Sequence, residues 1–183
     1  MRLKSTLSRA IASTAASLRA HAKPSTGLRV LNYHSIGDRA YNDELNLNSI
    51  SEQDFVLHLE IIKNFHVVGF SGINIPTDET HIAMTFDDGY ANNLHVAAPL
   101  LIEYLLPFTV FVTSGFVQSK QRGSLTKAEL RELSSLPGVT IGAHSKTHCD
   151  LTRCDDNLLL AELRDSRSYI EDVIGVGVTS MAY

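Results

Sequence analysis

The chain has 183 residues, 44% of them hydrophobic, a formal net charge of -4 and no tryptophan. That length and apolar content suit one domain with a filled core. The mildly acidic balance argues against nucleic acid as a partner, and the absence of tryptophan disfavours a broad sugar-stacking platform.

Residues 1 to 27 differ from everything after them. Arg2, Lys4, Arg9, Arg19 and Lys23 meet no acidic residue before Asp38, while Leu3, Leu7, Ile11 and Leu18 recur near helical spacing. This reads as a basic N-terminal helix or extension, too weakly apolar for a secretory leader or a spanning helix. A membrane-surface amphipathic helix through residues 1 to 23 and an organelle transit segment are the competing readings. Pro24-Ser25-Thr26-Gly27 then links into a domain covering residues 28 to 183.

From residue 28 onward, apolar runs and helix-like stretches alternate. Runs at 28 to 33, 66 to 70, 81 to 86, 108 to 113, 139 to 143 and 178 to 182 predict strands. Stretches at 51 to 65, 91 to 105, 126 to 135 and 155 to 174 predict helices, two of them opened by the capping signatures Ser51-x-x-Asp54 and Thr126-x-x-Glu129. The alternation predicts an α/β fold with a largely parallel sheet and helices outside it.

Two of the apolar runs end in chemistry. Thr85-Phe86-Asp87-Asp88-Gly89 closes one, and His144-Ser145-Lys146-Thr147-His148 closes another. Strand ends facing βα loops are where sheets and barrels of this kind place ligands and catalysis. Successive side chains of an extended chain point to opposite sides, so one aspartate can ligate a metal while its neighbour stays free as a base. Gly89 supplies the positive φ or close approach that a sharp turn behind them needs. The four-residue spacing of His144 and His148 puts both imidazoles on one face of a helix, or around one turn of a tight loop. Two His and one Asp suit a borderline-soft divalent ion, zinc foremost, and leave coordination positions open for water and substrate.

Thr-Phe-Asp-Asp-Gly-Tyr and His-Ser-Lys-Thr-His resemble the first two motifs of the NodB-type polysaccharide deacetylases, carbohydrate esterase family 4, which remove acetyl groups from sugar polymers. The likeness runs on through Leu100 to Thr113, Leu125 to Leu133 and Cys149 to Thr152. It implies Asp87 as general base, and Asp88, His144 and His148 as ligands of a divalent metal ion. Leu31-Asn32-Tyr33-His34-Ser35 resembles the N-terminal Tyr-His of the permuted, poly-N-acetylglucosamine deacetylase branch, which implies His34 as catalytic acid. Tyr33, Phe86 and Tyr90, flanking the motifs, are the available sugar-stacking surfaces, and each reads as core ahead of ligand contact.

The resemblance implies a distorted (β/α) barrel. The family's third motif would be starting where the chain stops, at Met181-Ala182-Tyr183. We therefore expect a C-terminally truncated chain and an incomplete, gaping barrel with an exposed edge near residues 179 to 183. The expected function is metal-dependent hydrolysis of N-acetyl groups on an acetylated amino-sugar polymer or its precursor. The alternative is a truncated remnant that binds metal or carbohydrate without turnover. Cys149 and Cys154 match no structural zinc spacing and read as reduced, incidental thiols. With no leader recognised, they favour a cytoplasmic location, membrane-associated if residues 1 to 23 bind a surface.

Overall fold

The structure, a computed structural model, describes residues 26–41, 43–70 and 79–183. The expectations for residues 1 to 25, the basic helix and its membrane contact, lie outside the described residues. Five strands form the main sheet: β1 (Gly27–Tyr33), β4 (His66–Val67), β5 (Thr80–Phe86), β6 (Phe108–Val112) and β7 (Val139–Ala143). They run in the order β1-β5-β6-β7, with β4 on the start of β5, and every pairing is parallel. Two short strands, β2 (Ser35–Ile36) and β3 (Ser49–Ile50), pair separately. The alternation was read correctly, and among the described residues the sheet does not close between β1 and β7.

Strand alternation divides the sheet into two unlike faces. Ile82, Met84, Phe86, Phe108, Val110, Val112 and Ile141 join one buried apolar cluster with Phe55, Leu59, Leu101, Leu130, Leu133 and Ile170 from the helices. Those helices are α1 (Glu52–Ile62), α2 (Ala98–Glu103), α3 (Ser114–Ser119), α4 (Lys127–Ser135) and α5 (Asp156–Ile174). On the opposite face, Val30, Asn32, Thr85 and Phe111 line an open trough. The core therefore lies between sheet and helices, and the trough lies on the other face of the sheet.

Local signals explain most boundaries. Thr126 opens α4 with a complete capping box, its hydroxyl accepting from the Glu129 amide and the Glu129 carboxylate from the Thr126 amide. Ser51 accepts from the Asp54 amide, but the Asp54 carboxylate bonds the Ser51 hydroxyl instead of returning to the backbone. Asp155 caps α5 through the Leu158 amide, and left-handed Gly175 ends it.

The expected helix over 91 to 105 is split. Asn93–Ala97 forms a π-helical turn in which the Ala98 amide reaches back to the Asn93 carbonyl. Pro99 follows with no amide to continue the ladder. The helix α3 was not predicted, because its six residues, opened by Thr113 without a side-chain cap bond, are too few to show a helical period. The strand expected at 178 to 182 shrinks to one parallel bridge between Met181 and Ala143.

Candidate metal and catalytic site

The first motif turns as the strand β5 ends. Asp88 has φ 72° and Gly89 φ 77°, so the alternation expected of an extended Asp-Asp pair is broken by a left-handed turn. A Cβ on Gly89 would stand 3.2 Å from a methyl of Val112, which a side chain at that left-handed position could not relieve. The two aspartates consequently take different partners. Asp87 accepts a hydrogen bond from Asn32 Nδ2 at 2.8 Å on the trough side, while Asp88 faces the histidines.

The second motif is a tight loop, not a helix. Ser145 (φ 57°) and His148 (φ 59°) are left-handed. Each costs on the order of 1 kcal/mol, and the surroundings hold them there. Buried Glu162 of α5, 2% exposed, accepts from the amides of Lys146 and Thr147 at 2.8 Å each and from the Thr147 hydroxyl at 2.7 Å. Ser166 donates to the Ser145 carbonyl at 2.8 Å, and the Gly115 amide donates to the Lys146 carbonyl at 2.7 Å. At Gly115 a Cβ would fall 2.3 Å from that carbonyl oxygen, so only glycine admits the approach. Burial pushes the Glu162 carboxyl up, but its bonds from Thr147 and Lys146 outweigh that and hold it below its ordinary value.

These turns bring one donor atom each from Asp88, His144 and His148 within 4.8 Å of one another. Asp88 Oδ1 lies 3.6 Å from His144 Nε2 and 3.3 Å from His148 Nε2. It is buried and has no hydrogen-bond partner among the described residues. His144 Nδ1 meets the Ala182 carbonyl at 3.0 Å. That carbonyl only accepts, so in the neutral ring Nδ1 carries the proton and Nε2 presents a lone pair to Asp88. A cation between these groups would satisfy the carboxylate oxygen and the imidazole lone pair together. Two ligands on one tetrahedral zinc, at bonds of about 2.0–2.1 Å, stand roughly 3.4 Å apart, close to the observed separations. The residues fit a divalent ion, and the Ala182 carbonyl orients the His144 imidazole from behind, as such an ion would require.

Three further groups flank the cluster. The Asp87 amide donates to the Tyr33 carbonyl at 2.9 Å, which sets His34 directly beside Asp87 on the rim. The His34 carbonyl in turn accepts from Asn93 Nδ2 at 2.8 Å. Tyr33 points away: its ring packs on Phe55 and Phe86 (centroids 5.2 and 5.4 Å), and its hydroxyl meets His58 at 3.1 Å. Of its two readings the core one holds, because Tyr33 falls on the helix-facing side of β1. Tyr90 lines a cavity of about 540 Å³ together with Ser35, Arg39 and Arg122. Burial, reinforced by the Asp88 carboxylate, pushes its phenol up to about 12, so it remains a hydrogen-bond donor at neutral pH.

The model of the family described as "Polysaccharide deacetylase" matches residues 74–183. The chain belongs to the polysaccharide deacetylase family. Among curated relatives of this chain, a chitooligosaccharide deacetylase of Rhizobium leguminosarum bv. trifolii is 32% identical over 97 residues, covering 51% of this chain and 41% of that protein. The chain spans about two fifths of the length of the curated relatives it matches. Among solved structures, the Streptococcus pyogenes deacetylase PplD in complex with acetate superposes with TM-score 0.73 at 22% identity, over 87% of this chain and 74% of that one. IcaB from Ammonifex degensii gives TM-score 0.67 at 21% identity, over 86% and 74%. At these identities the two structures establish the shared fold.

Two residues of this site escaped the sequence reading. Asn32 holds Asp87 and is itself held by the Thr85 hydroxyl at 2.9 Å. Nothing in an isolated strand marks it until β1 and β5 pair. Glu162 did leave a signal: with Ser166 it falls on the stripe of α5 that also carries buried Ile170 and Val173, and a carboxylate there needs buried partners. The two thiols, expected to be incidental, come within 3.4 Å of each other beside His148.

Proposed function

We propose that this chain carries the catalytic centre of a metal-dependent hydrolase that removes N-acetyl groups from amino sugars in a polysaccharide or its precursor. The observation that carries this reading is the division of labour between adjacent aspartates. Asp88 sits within a three-ligand cluster, and Asp87 is held outside it by Asn32. Asp88, His144 and His148 would hold the ion, zinc by the chemistry of one carboxylate and two imidazoles. The chemistry such an ion supplies there is Lewis-acid polarisation of an acyl oxygen and acidification of a water.

The protein's own groups do the rest. Asp87 accepts the proton of the attacking water, and the Asn32 amide leaves one of its oxygens free by occupying the other. The Thr85 hydroxyl on the Asn32 oxygen keeps that amide from flipping. An amine leaves an amide only after protonation, and the proposed donor is His34. What supports it is the pairing of β1 along the whole of β5, which sets His34 beside Asp87. The Tyr90 phenol, lining the adjacent cavity, is proposed to donate a hydrogen bond to bound sugar.

In Asp87→Asn we expect acetate release from an acetylated amino-sugar oligomer to fall by at least ~10²-fold, with metal content by mass spectrometry unchanged. An unaltered rate would sink the assignment of Asp87. The second reading is a chain that binds metal or carbohydrate without turnover. Stoichiometric metal uptake with no acetate release by the unaltered chain would select it.

A further inference from the structure

The far end of β5 carries a second group of metal-type donors with no part in the chemistry above. We propose that His66, Glu79 and His81 form a second divalent transition-metal site at the base of the sheet. It lies about 20 Å from Asp87, from six residues at about 3.3 Å each, and it rests on nothing assumed about deacetylation.

The register builds the group. His66 of β4 is the direct parallel partner of His81 of β5, and their rings stand 5.7 Å apart at 54°. Glu79 lies two residues before His81, on the same side of the chain. Its carbonyl already accepts the Gly27 amide at 2.8 Å, so its backbone is fixed on the ladder. One donor atom from each of the three residues lies within 4.8 Å of the others, and His66 Nε2 is 3.8 Å from Glu79 Oε2. Ligands of a tetrahedral zinc stand about 3.4 Å apart, so closure needs side-chain movements of under about 1 Å.

An independent observation singles out His81. It is only 8% exposed, and its Nδ1 is buried with no hydrogen-bond partner among the described residues. An ion pair between His66 and Glu79, whose side chains are 75% and 60% exposed, would account for those two residues. It would leave a buried imidazole nitrogen unsatisfied, at a cost of about 1–3 kcal/mol. A shared cation satisfies all three. Two imidazoles and one carboxylate select zinc, nickel, cobalt or copper over magnesium or calcium. Such an ion would clamp β4, which has only two paired residues, onto β5.

The test uses the full 183-residue chain, stripped with chelator, loaded with Zn²⁺ and counted by mass spectrometry. Asp88→Ala should keep one ion that the double variant H66A/E79Q in the same background loses, and zinc should raise the melting temperature of the former only. Both altered side chains are exposed, so the fold should persist; circular dichroism checks this, and E79Q alone, with at least tenfold weaker zinc affinity, replaces the double variant if it does not. Equal zinc counts and equal melting shifts with and without His66 and Glu79 would overturn the proposal. So would an Asp88→Ala chain that takes up no ion.

Discussion

The two ends of β5 present similar residue types in very different settings. At the rim, Asp88, His144 and His148 are held by left-handed backbone and by a second layer, with Glu162 under the loop and the Ala182 carbonyl behind one imidazole. At the base, His66, Glu79 and His81 are brought together by strand register alone, and two of the three are largely exposed. Register is enough to assemble donors. Orientation and a free base beside them require loops that pay backbone strain against buried hydrogen bonds, which is what a reactive site needs and a clamp does not.

That contrast can be attacked at the rim first. Replacing Asn32 with Ala frees Asp87 to rotate, and we expect turnover to drop ~10²-fold, with little change in KM or in bound metal. Equal loss in the Michaelis constant would mean that Asn32 binds substrate instead of orienting the base. Next in size is the layer beneath the loop. Glu162→Ala removes three hydrogen bonds and should weaken rim-site metal affinity by about tenfold or more, while leaving uptake at the base unchanged.

Acid should act through the same residue. Its folded-state carboxyl titrates below the ordinary value of 4.5, so its stabilisation is fully present above that value. It is lost as pH falls through the lower folded value. Melting temperature against pH should therefore fall less steeply in Glu162→Gln than in the unaltered chain below about pH 4.5. Identical slopes would remove Glu162 as the acid-sensitive prop. The smallest effect is a control remote from both ends of the contrast: Thr126→Ala at the α4 cap should cost about 1 kcal/mol, or roughly 2–4 °C, with metal binding untouched.

Much of the rim could be read in advance because its logic is local. An Asp-Asp-Gly and a His-x-x-x-His each stand at the end of an apolar run, and residue type plus strand-end position pointed to the donors that the structure brings together, while the separate roles of the two aspartates came from the family resemblance. The base of the sheet was invisible for the same reason. His66 and His81 belong to different strands, and neither sits in a recognisable spacing. Tyr33 shows the converse limit: adjacency to His34 made it a site candidate, but strand alternation turned it into the core against Phe55 and Phe86. The π-helical turn before Pro99 and the short α3 were hidden because apolar periodicity carries no mark of an i to i+5 bond, and six residues are too few to show a helical period.

The sequence by itself determined the parallel α/β alternation, the helix caps and the identity of the rim donors, since propensity, periodicity and capping act within a few residues of chain. Only the tertiary structure decided that Asn32 holds Asp87 across 55 residues. It also decided that Glu162 supports the ligand loop, which imidazole nitrogen faces Asp88, and that two histidines meet at the far end of β5. Those outcomes depend on strand register and on where buried polar groups find partners, and both are settled only when the sheet and helices pack.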